Sequence, residues 1–98
     1  MLVQELRNFL DSEGRLTKYP AKLRLKILSL YYLASKIMPN VRYTEREINE
    51  IIRQWHTFED WALLRRDMFD RGLLERERNG ATYWLAETLP ELSKFGIN

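Results

Sequence analysis

A single histidine and two clusters of carboxylates are the residues in this chain that could do chemistry. His56 lies in a predicted turn, and Glu59 and Asp60 follow it closely. A histidine beside acidic side chains could bind a metal ion or act as a general base. One histidine without cysteine forms no recognisable set of metal ligands, so we interpret His56 as a turn residue with a polar tip.

Helix electrostatics explain the remaining carboxylates. Glu45, Glu47 and Glu50 fall in the first turn or on the outward face of a predicted helix. Negative side chains near a helix N-terminus interact favourably with the helix dipole. The sequence also has no glycine-rich phosphate loop, no nucleophile motif and no cysteine. We therefore expect a protein that is not an enzyme, binds no metal ion and needs no cofactor.

Length and composition favour one globular domain. The chain has 98 residues, of which 45% are hydrophobic and 31% charged, as in ordinary soluble proteins. The lack of cysteine fits a reducing compartment, and no apolar run approaches the roughly 20 residues of a membrane helix. The N-terminus has no signal-peptide pattern. We expect a single cytoplasmic domain over residues 1–98, and the sequence neither requires nor excludes an oligomer.

The basic residues are concentrated in one part of the chain. The net charge is only +2, yet residues 15–42 hold seven lysines and arginines and no acid. Such a run is typical of a segment that contacts phosphates, but it could equally be the solvated face of a helix. The candidate phosphate contacts in this run are Arg15, Lys18, Lys22 and Lys26.

Residues 44–71 have the pattern of a helix-turn-helix. Thr44 and Glu47 have the spacing of a capping box at the start of the first helix. The second helix is predicted to begin after Thr57, whose hydroxyl could cap it, and to end at Gly72. A step of about 100° per residue gives inward residues Phe58, Trp61, Ala62, Leu64, Met68 and Phe69, and outward residues Leu63, Arg66, Asp67 and Asp70.

Arg65 falls inside the apolar arc of the second helix. An unpaired charge would be very costly there, so we expect Arg65 to be largely buried and paired with a carboxylate of the first helix. The candidate partners are Glu47 and Glu50.

Residues 73–86 have the pattern of a β-hairpin, or wing. The turn signal is Asn79-Gly80, which favours a two-residue type I′ loop with both residues at positive φ. Arg42-Tyr43 is expected to add a short edge strand beside the hairpin. The loop would pair Leu74 with Leu85, Glu75 with Trp84, Arg76 with Tyr83, Glu77 with Thr82 and Arg78 with Ala81.

Two further helices complete the predicted fold. A helix over residues 21–38 has Pro20 or Ala21 in its first turn and Pro39 just beyond its end. Its broad apolar surface predicts a central helix that is contacted on two sides. Leu6, Phe9 and Leu10 belong to an apolar stripe that predicts a short N-terminal helix. The fold class is therefore mainly α with a small β-hairpin (α+β), a winged helix-turn-helix with an extra N-terminal helix.

Three segments carry a resemblance to a known family. They are GRLTKYPAKLRLK, RYTEREINEII and LLRRDMFDRGLLERERNGATYWL. In this order they resemble Domain of Unknown Function 2087, over about residues 14 to 86. The resemblance implies a winged-helix module that occurs alone or attached to bacterial transcriptional regulators. It implies no established biochemical activity.

Two functions fit these observations. The first is a DNA-binding domain of a transcriptional regulator, in which Arg66 reads bases, Arg76 and Arg78 of the wing hold phosphate, and the basic run anchors the DNA backbone. The second is a protein-interaction module without DNA binding, in which the acidic second helix docks a protein partner. Its candidate contacts are Leu63, Asp67 and Asp70. The outward acids should repel phosphates, whereas the family setting favours DNA, and we expect the first function.

Overall fold

Four α-helices and a three-stranded antiparallel sheet form the fold over residues 2–98, which the computed structural model describes. This mixed α+β class was predicted. The helices are α1 (Leu2–Leu6), α2 (Leu23–Ala34), α3 (Glu45–Gln54) and α4 (Trp61–Asp70), and the strands are β1 (Tyr43–Thr44), β2 (Leu74–Arg76) and β3 (Thr82–Leu85). Short 3₁₀ helices follow α1 at Arg7–Phe9 and close the described chain at Leu92–Phe95. The order from α2 to β3 is compatible with a winged helix-turn-helix.

Helix α2 is the central helix, as predicted. Leu30 and Leu33 face the main core, while Leu28 and Tyr32 pack against Leu6 of α1 in a second cluster. The helix is shorter than the predicted 21–38, because Lys22 has an extended backbone and the last helical turn ends before Ser35. The main core consists of Leu30, Leu33, Ala34, Ile37, Ile48, Ile52, Leu64, Met68, Leu73, Leu74 and Tyr83.

The sheet has the order β1-β3-β2, with β1 beginning one residue later than predicted. The predicted register of the hairpin is confirmed: the paired residues are Leu74 and Leu85, Glu75 and Trp84, and Arg76 and Tyr83.

The predicted type I′ loop is wrong. Gly80 has φ of +72°, but Asn79 is not in the positive-φ region. The Gly80 N–H instead donates to the Glu77 carbonyl at 2.9 Å, and the Asn79 side chain accepts from the Ala81 N–H at 2.9 Å. The loop takes one further residue from each strand, Arg78 and Ala81, so the register of the remaining pairs is unchanged.

Helix α3 begins with the predicted capping box. The Thr44 hydroxyl accepts from the Glu47 N–H at 3.1 Å, and the Glu47 carboxylate accepts from the Thr44 N–H at 2.8 Å.

Helix α4 begins at Trp61, later than the predicted start after Thr57. Glu59 has φ of +51°, a left-handed conformation that a helix cannot contain. The Thr57 hydroxyl therefore caps no helix within residues 2–98, and the backbone of Thr57 has a different role.

The turn between α3 and α4 is bridged to the segment that follows α1. The Leu16 N–H donates to the Trp55 carbonyl at 2.8 Å, and the Thr57 N–H donates to the Leu16 carbonyl at 2.9 Å. The Leu16 side chain is fully buried. The N-terminal segment is thus hydrogen-bonded to the turn. Within residues 2–98, no helix has the length and apolarity that crossing a lipid bilayer requires.

Candidate nucleic-acid interface

Helix α4 has one exposed face. Ala62, Leu63, Arg66 and Asp70 are all exposed, and they lie on one arc of the helix. Three of these residues were predicted to face outward, whereas Ala62 was predicted to face inward and does not. Leu63 is 38% exposed. The face is therefore partly apolar, with one basic and one acidic side chain.

Asp67, predicted to face outward, is half-buried on one side of this face. Its carboxylate accepts a hydrogen bond of 2.6 Å from the Tyr19 hydroxyl. The Tyr19 ring stacks on Phe58 with 6.3 Å between ring centroids, and the Lys26 Nζ lies 5.0 Å from the centre of the Tyr19 ring. The segment before α2 consequently runs along this side of α4.

This contact brings a segment that carries two exposed lysines beside α4. Lys18 and Lys22 flank Tyr19 in the sequence, and both are exposed. Neither forms an ion pair within residues 2–98, so their charges are available to an anion. Lys26 is half-buried over the Tyr19 ring.

Arg15 is not available in the same way. Its guanidinium forms ion pairs with Asp11 at 2.9 Å and with Glu13 at 3.3 Å. These two carboxylates neutralise the charge that the sequence assigned to phosphate binding.

The wing lies on the opposite side of the exposed face. The Arg76 guanidinium stacks over the Phe69 ring at 4.2 Å from its centre. On a helix of 3.6 residues per turn, Phe69 lies about 60° from Arg66 in one direction, and Asp67 lies about 100° from it in the other. Arg78 is exposed in the hairpin loop. The exposed face of α4 is thus flanked on one side by the segment that carries Lys18 and Lys22, and on the other by the wing, which carries Arg76 and Arg78.

Carboxylates remain close to this face. Glu59 and Asp60 are exposed before the first turn of α4, and Asp70 is exposed in its last turn. Arg66 is the one basic side chain on the exposed arc of the helix. Any anion that approaches α4 is therefore attracted by the flanking residues more than by the helix itself.

Arg65 is half-buried with a different set of partners from those predicted. It hydrogen-bonds the Asn49 side-chain oxygen at 2.5 Å, and its guanidinium lies 4.0 Å from the Glu45 carboxylate. The Tyr83 hydroxyl donates to the same Glu45 carboxylate at 3.2 Å. The predicted partners are engaged elsewhere: Glu47 in the capping box and Glu50 with Arg53 at 3.2 Å. Arg65 connects α3, α4 and β3, and it does not belong to the exposed face.

His56 lies in the turn between α3 and α4, as predicted, and it is buried, with 5% of its surface exposed. Its Nε2 accepts from the Asp60 N–H at 3.0 Å, so the proton resides on Nδ1, which donates to the Ile52 carbonyl at 2.6 Å. A neutral imidazole thereby joins the end of α3 to the start of α4. Within the described part of the chain, no three histidine, aspartate or glutamate side chains converge as metal ligands would.

A groove of about 520 Å³ lies on a different part of the molecule, beside the sheet. The Arg42 guanidinium stacks over Trp84 at 4.0 Å and forms an ion pair with Glu77 at 3.4 Å. Two further lining residues, Glu75 and Glu87, are acidic. This groove shares no residue with the basic flanks of α4 and is unsuited to phosphate.

The sequence reasoning missed Tyr19 and Phe69 as the residues that position the two basic flanks. The position of Tyr19 between two lysines is the feature of the sequence that could have drawn attention to it. Its contact with Asp67, however, joins residues 48 positions apart, and a pattern of neighbouring residues cannot predict such a contact.

Comparisons with known proteins place the chain in one family. No curated protein and no solved structure is similar enough to the chain to count as a match. The model of the family described as "Uncharacterized protein conserved in bacteria" (DUF2087) matches residues 15–85. The match covers most of the chain and agrees with the resemblance of the three segments, so the protein belongs to the DUF2087 family.

Proposed function

We propose that this protein is a DNA-binding domain of a transcriptional regulator, in which the exposed face of α4 enters the major groove. The observation that supports this proposal is the placement of cations on both sides of that face. The Tyr19–Asp67 hydrogen bond holds the segment that carries Lys18 and Lys22 beside one flank, and the stacking of Arg76 on Phe69 holds the wing beside the other. Such a role belongs to the bacterial cytoplasm, where the DNA lies.

A helix in the major groove lies between two phosphate backbones. Helix-turn-helix proteins place the second helix there and contact the backbone with the neighbouring elements. Here those elements are the segment before α2 and the wing. Arg66, on the exposed arc, is then directed at base edges.

The number of available cations limits the affinity. Lys18, Lys22, Arg76 and Arg78 are exposed and outside any ion pair within residues 2–98. Each neutralised phosphate contributes about 0.9 to the slope of log affinity against log salt, so four contacts give a slope no steeper than about −4. Binding by a single domain is therefore expected to be weak and strongly weakened by salt.

Fluorescence anisotropy of a labelled mixed-sequence duplex over a salt series tests this proposal. Lys22→Ala and Arg76→Ala should each make the slope shallower by about 0.9. Arg7→Ala is the matched control, because Arg7 is exposed in the 3₁₀ helix after α1, on the far side of α2. Asp70→Asn should strengthen binding by removing a carboxylate from the groove. A duplex that does not bind at low salt would overturn the proposal, and so would an equal response of all three arginine and lysine variants.

A protein-interaction module is the second candidate, and exposed Leu63 beside Ala62 favours it. In that function the apolar centre of the face would contact a protein partner, with Asp70 at its edge. Asp67 would contribute little, because its carboxylate is bound by Tyr19. This alternative requires two results. The wild type should retain a protein partner that Leu63→Asp does not retain, and the wild type should not bind DNA.

A further inference from the structure

We infer that the exposed face of α4 recognises thymine methyl groups close to a guanine. This inference rests on the proposed DNA binding and specifies the class of sequence that the helix prefers. The inference is based on the exposed side chains of Ala62, Leu63 and Arg66.

The N-terminal half of the exposed face is apolar. Ala62 and Leu63 are both exposed, and Leu63 is one of the few large apolar residues of the described chain with substantial exposure. In the major groove the thymine C5 methyl is the distinctive apolar group on a base edge, and alanine and other apolar side chains contact it. The N-terminal residues of a recognition helix are also those that contact bases.

Arg66 supplies the one basic contact on this face. Its side chain is exposed and forms no ion pair within residues 2–98, so all its donors remain available. Arginine binds guanine O6 and N7 through two parallel hydrogen bonds, which is the commonest specific contact in the major groove. A guanine is therefore the base that Arg66 matches best.

The spacing of these residues fixes the spacing of the bases. Arg66 follows Ala62 by one turn, a rise of about 6 Å, and successive nucleotides are about 3.4 Å apart along the duplex. The thymine should therefore lie within about two base pairs of the guanine. Asp70, one turn further on, offers only acceptors and repels the acceptor edges of guanine and thymine. The thymine consequently lies on the Ala62 side of the guanine.

The first experiment is selection from a library of duplexes with a randomised core, followed by sequencing. The wild type should enrich sequences in which a guanine has a thymine within about two positions. Arg66→Ala should reduce the preference for the guanine by about 5- to 100-fold. Arg7→Ala, the control, should leave the enriched sequences unchanged.

The second experiment removes the methyl group alone. Replacing the selected thymine by deoxyuridine keeps base pairing and all hydrogen-bonding groups, and it should weaken binding by about two- to fourfold, the worth of one buried methyl. In the double variant Ala62→Ser/Leu63→Ser the same replacement should have little effect, because the methyl then has no apolar partner on α4. Both residues lie on the exposed face of α4, outside the main core. Cytosine in place of the thymine should weaken binding more than 5-methylcytosine does, since the latter keeps the methyl.

The outcomes separate this inference from the proposed function. Duplexes that bind with a salt-dependent affinity but show no enrichment, or no effect of deoxyuridine, would overturn the inference and leave DNA binding intact. Absence of binding to any duplex at low salt would overturn both.

Discussion

The Tyr19 hydroxyl donates a 2.6 Å hydrogen bond to the Asp67 carboxylate, and it thereby joins the segment before α2 to the middle of α4. Burial raises the pKa of Tyr19, and the bond to Asp67 raises it further. The phenol therefore stays protonated as a donor at neutral pH. The bond gives the Asp67 carboxylate a partner at the edge of the exposed face of α4, and it holds the segment that carries Lys18 and Lys22 beside the helix.

Tyr19→Phe removes this bond and keeps the stacking on Phe58. We expect a loss of about 1–2 kcal/mol in the free energy of unfolding, because the acceptor is charged but only partly buried. Urea denaturation measures the loss. Tyr43→Phe is the control, since within residues 2–98 the Tyr43 hydroxyl makes a single hydrogen bond, an exposed one of 3.3 Å from the Met38 N–H. Equal losses in the two variants would contradict the special role of Tyr19.

Arg65→Ala should destabilise the protein far more than Arg66→Ala. Arg65 has a 19% exposed side chain and bonds Asn49, whereas Arg66 is exposed. Arg65→Ala leaves the Asn49 oxygen and the Glu45 carboxylate without this partner, and this should reduce the free energy of unfolding by about 1–3 kcal/mol. Arg66→Ala changes an exposed residue and should reduce it by about 0.5 kcal/mol or less. Thermal and urea unfolding of both variants provide the comparison. A small loss in both would show that the cluster of Arg65, Asn49, Glu45 and Tyr83 contributes nothing to stability.

His56→Ala leaves the Ile52 carbonyl and the Asp60 N–H without their partner, and we expect a loss of about 1–3 kcal/mol. Amide hydrogen exchange should accelerate at Asp60 more than in the centre of α4. Thr57→Ala serves as the control, because the exposed Thr57 hydroxyl makes no hydrogen bond within residues 2–98. If Thr57→Ala is the more damaging variant, Thr57 caps the helix as first predicted and His56 does not connect the two helices.

Asp11 should make stability depend on acid pH. Its carboxylate accepts from the Arg15 N–H at 2.8 Å, from the Glu13 N–H at 3.0 Å and from the Arg15 guanidinium at 2.9 Å. These hydrogen bonds, that of the Arg15 backbone first, lower the pKa of Asp11 below its ordinary value of 3.8. When the pKa of a carboxyl group is lower in the folded state than in the unfolded state, the charged form stabilises the fold. This contribution to the free energy of unfolding is fully present above the pKa of the unfolded state, and it is lost as the pH falls through the pKa of the folded state.

The variant that tests this is Asp11→Asn. The difference in unfolding free energy between the wild type and Asp11→Asn should be constant near neutral pH and should shrink below about pH 4. Glu13→Gln is the control, because within the described chain the exposed Glu13 carboxylate has one ion pair, with Arg15. A difference that stays constant down to the acid transition would contradict the assignment.

Substitution of Gly80 should destabilise the hairpin loop because of the positive φ at this position, and not because of a steric clash. A Cβ at Gly80 would meet no atom within 4 Å, yet φ is +72°. Gly80→Ala should therefore reduce stability by about 1–2 kcal/mol, Gly80→Val by more, and Gly80→Asn by least, because asparagine tolerates the left-handed region. Chemical denaturation ranks the three variants. Equal losses would mean that the loop changes conformation freely.

Features set by neighbouring residues could be predicted from the sequence. The capping box of Thr44 and Glu47 and the register of the hairpin depend on contacts a few residues apart. The register was right although the loop was not, because a loop lengthened equally on both sides preserves the pairing. The start of α4 could not be predicted, since it depends on the left-handed backbone of Glu59 and on the buried His56.

The candidate site was predicted only as a set of residue types. Arg66, Arg76, Arg78, Lys18 and Lys22 are exposed as expected. The environments of Asp67 and Arg15 were missed for different reasons. Asp67 is bound by a tyrosine far away in the sequence, whereas the acids that neutralise Arg15 are only a few residues before it. The basic run was defined as residues 15–42, so its net charge did not include Asp11 and Glu13.

The bridge formed by Leu16 couples the N-terminal segment to the turn before α4. Because Leu16 exchanges two backbone hydrogen bonds with Trp55 and Thr57 and its side chain is buried, the segment cannot be drawn away without breaking both bonds. Tyr19, three residues further on, is hydrogen-bonded to Asp67 of α4. A displacement of Leu16 itself would therefore strain the turn between α3 and α4, and a displacement of Tyr19 would strain the middle of α4.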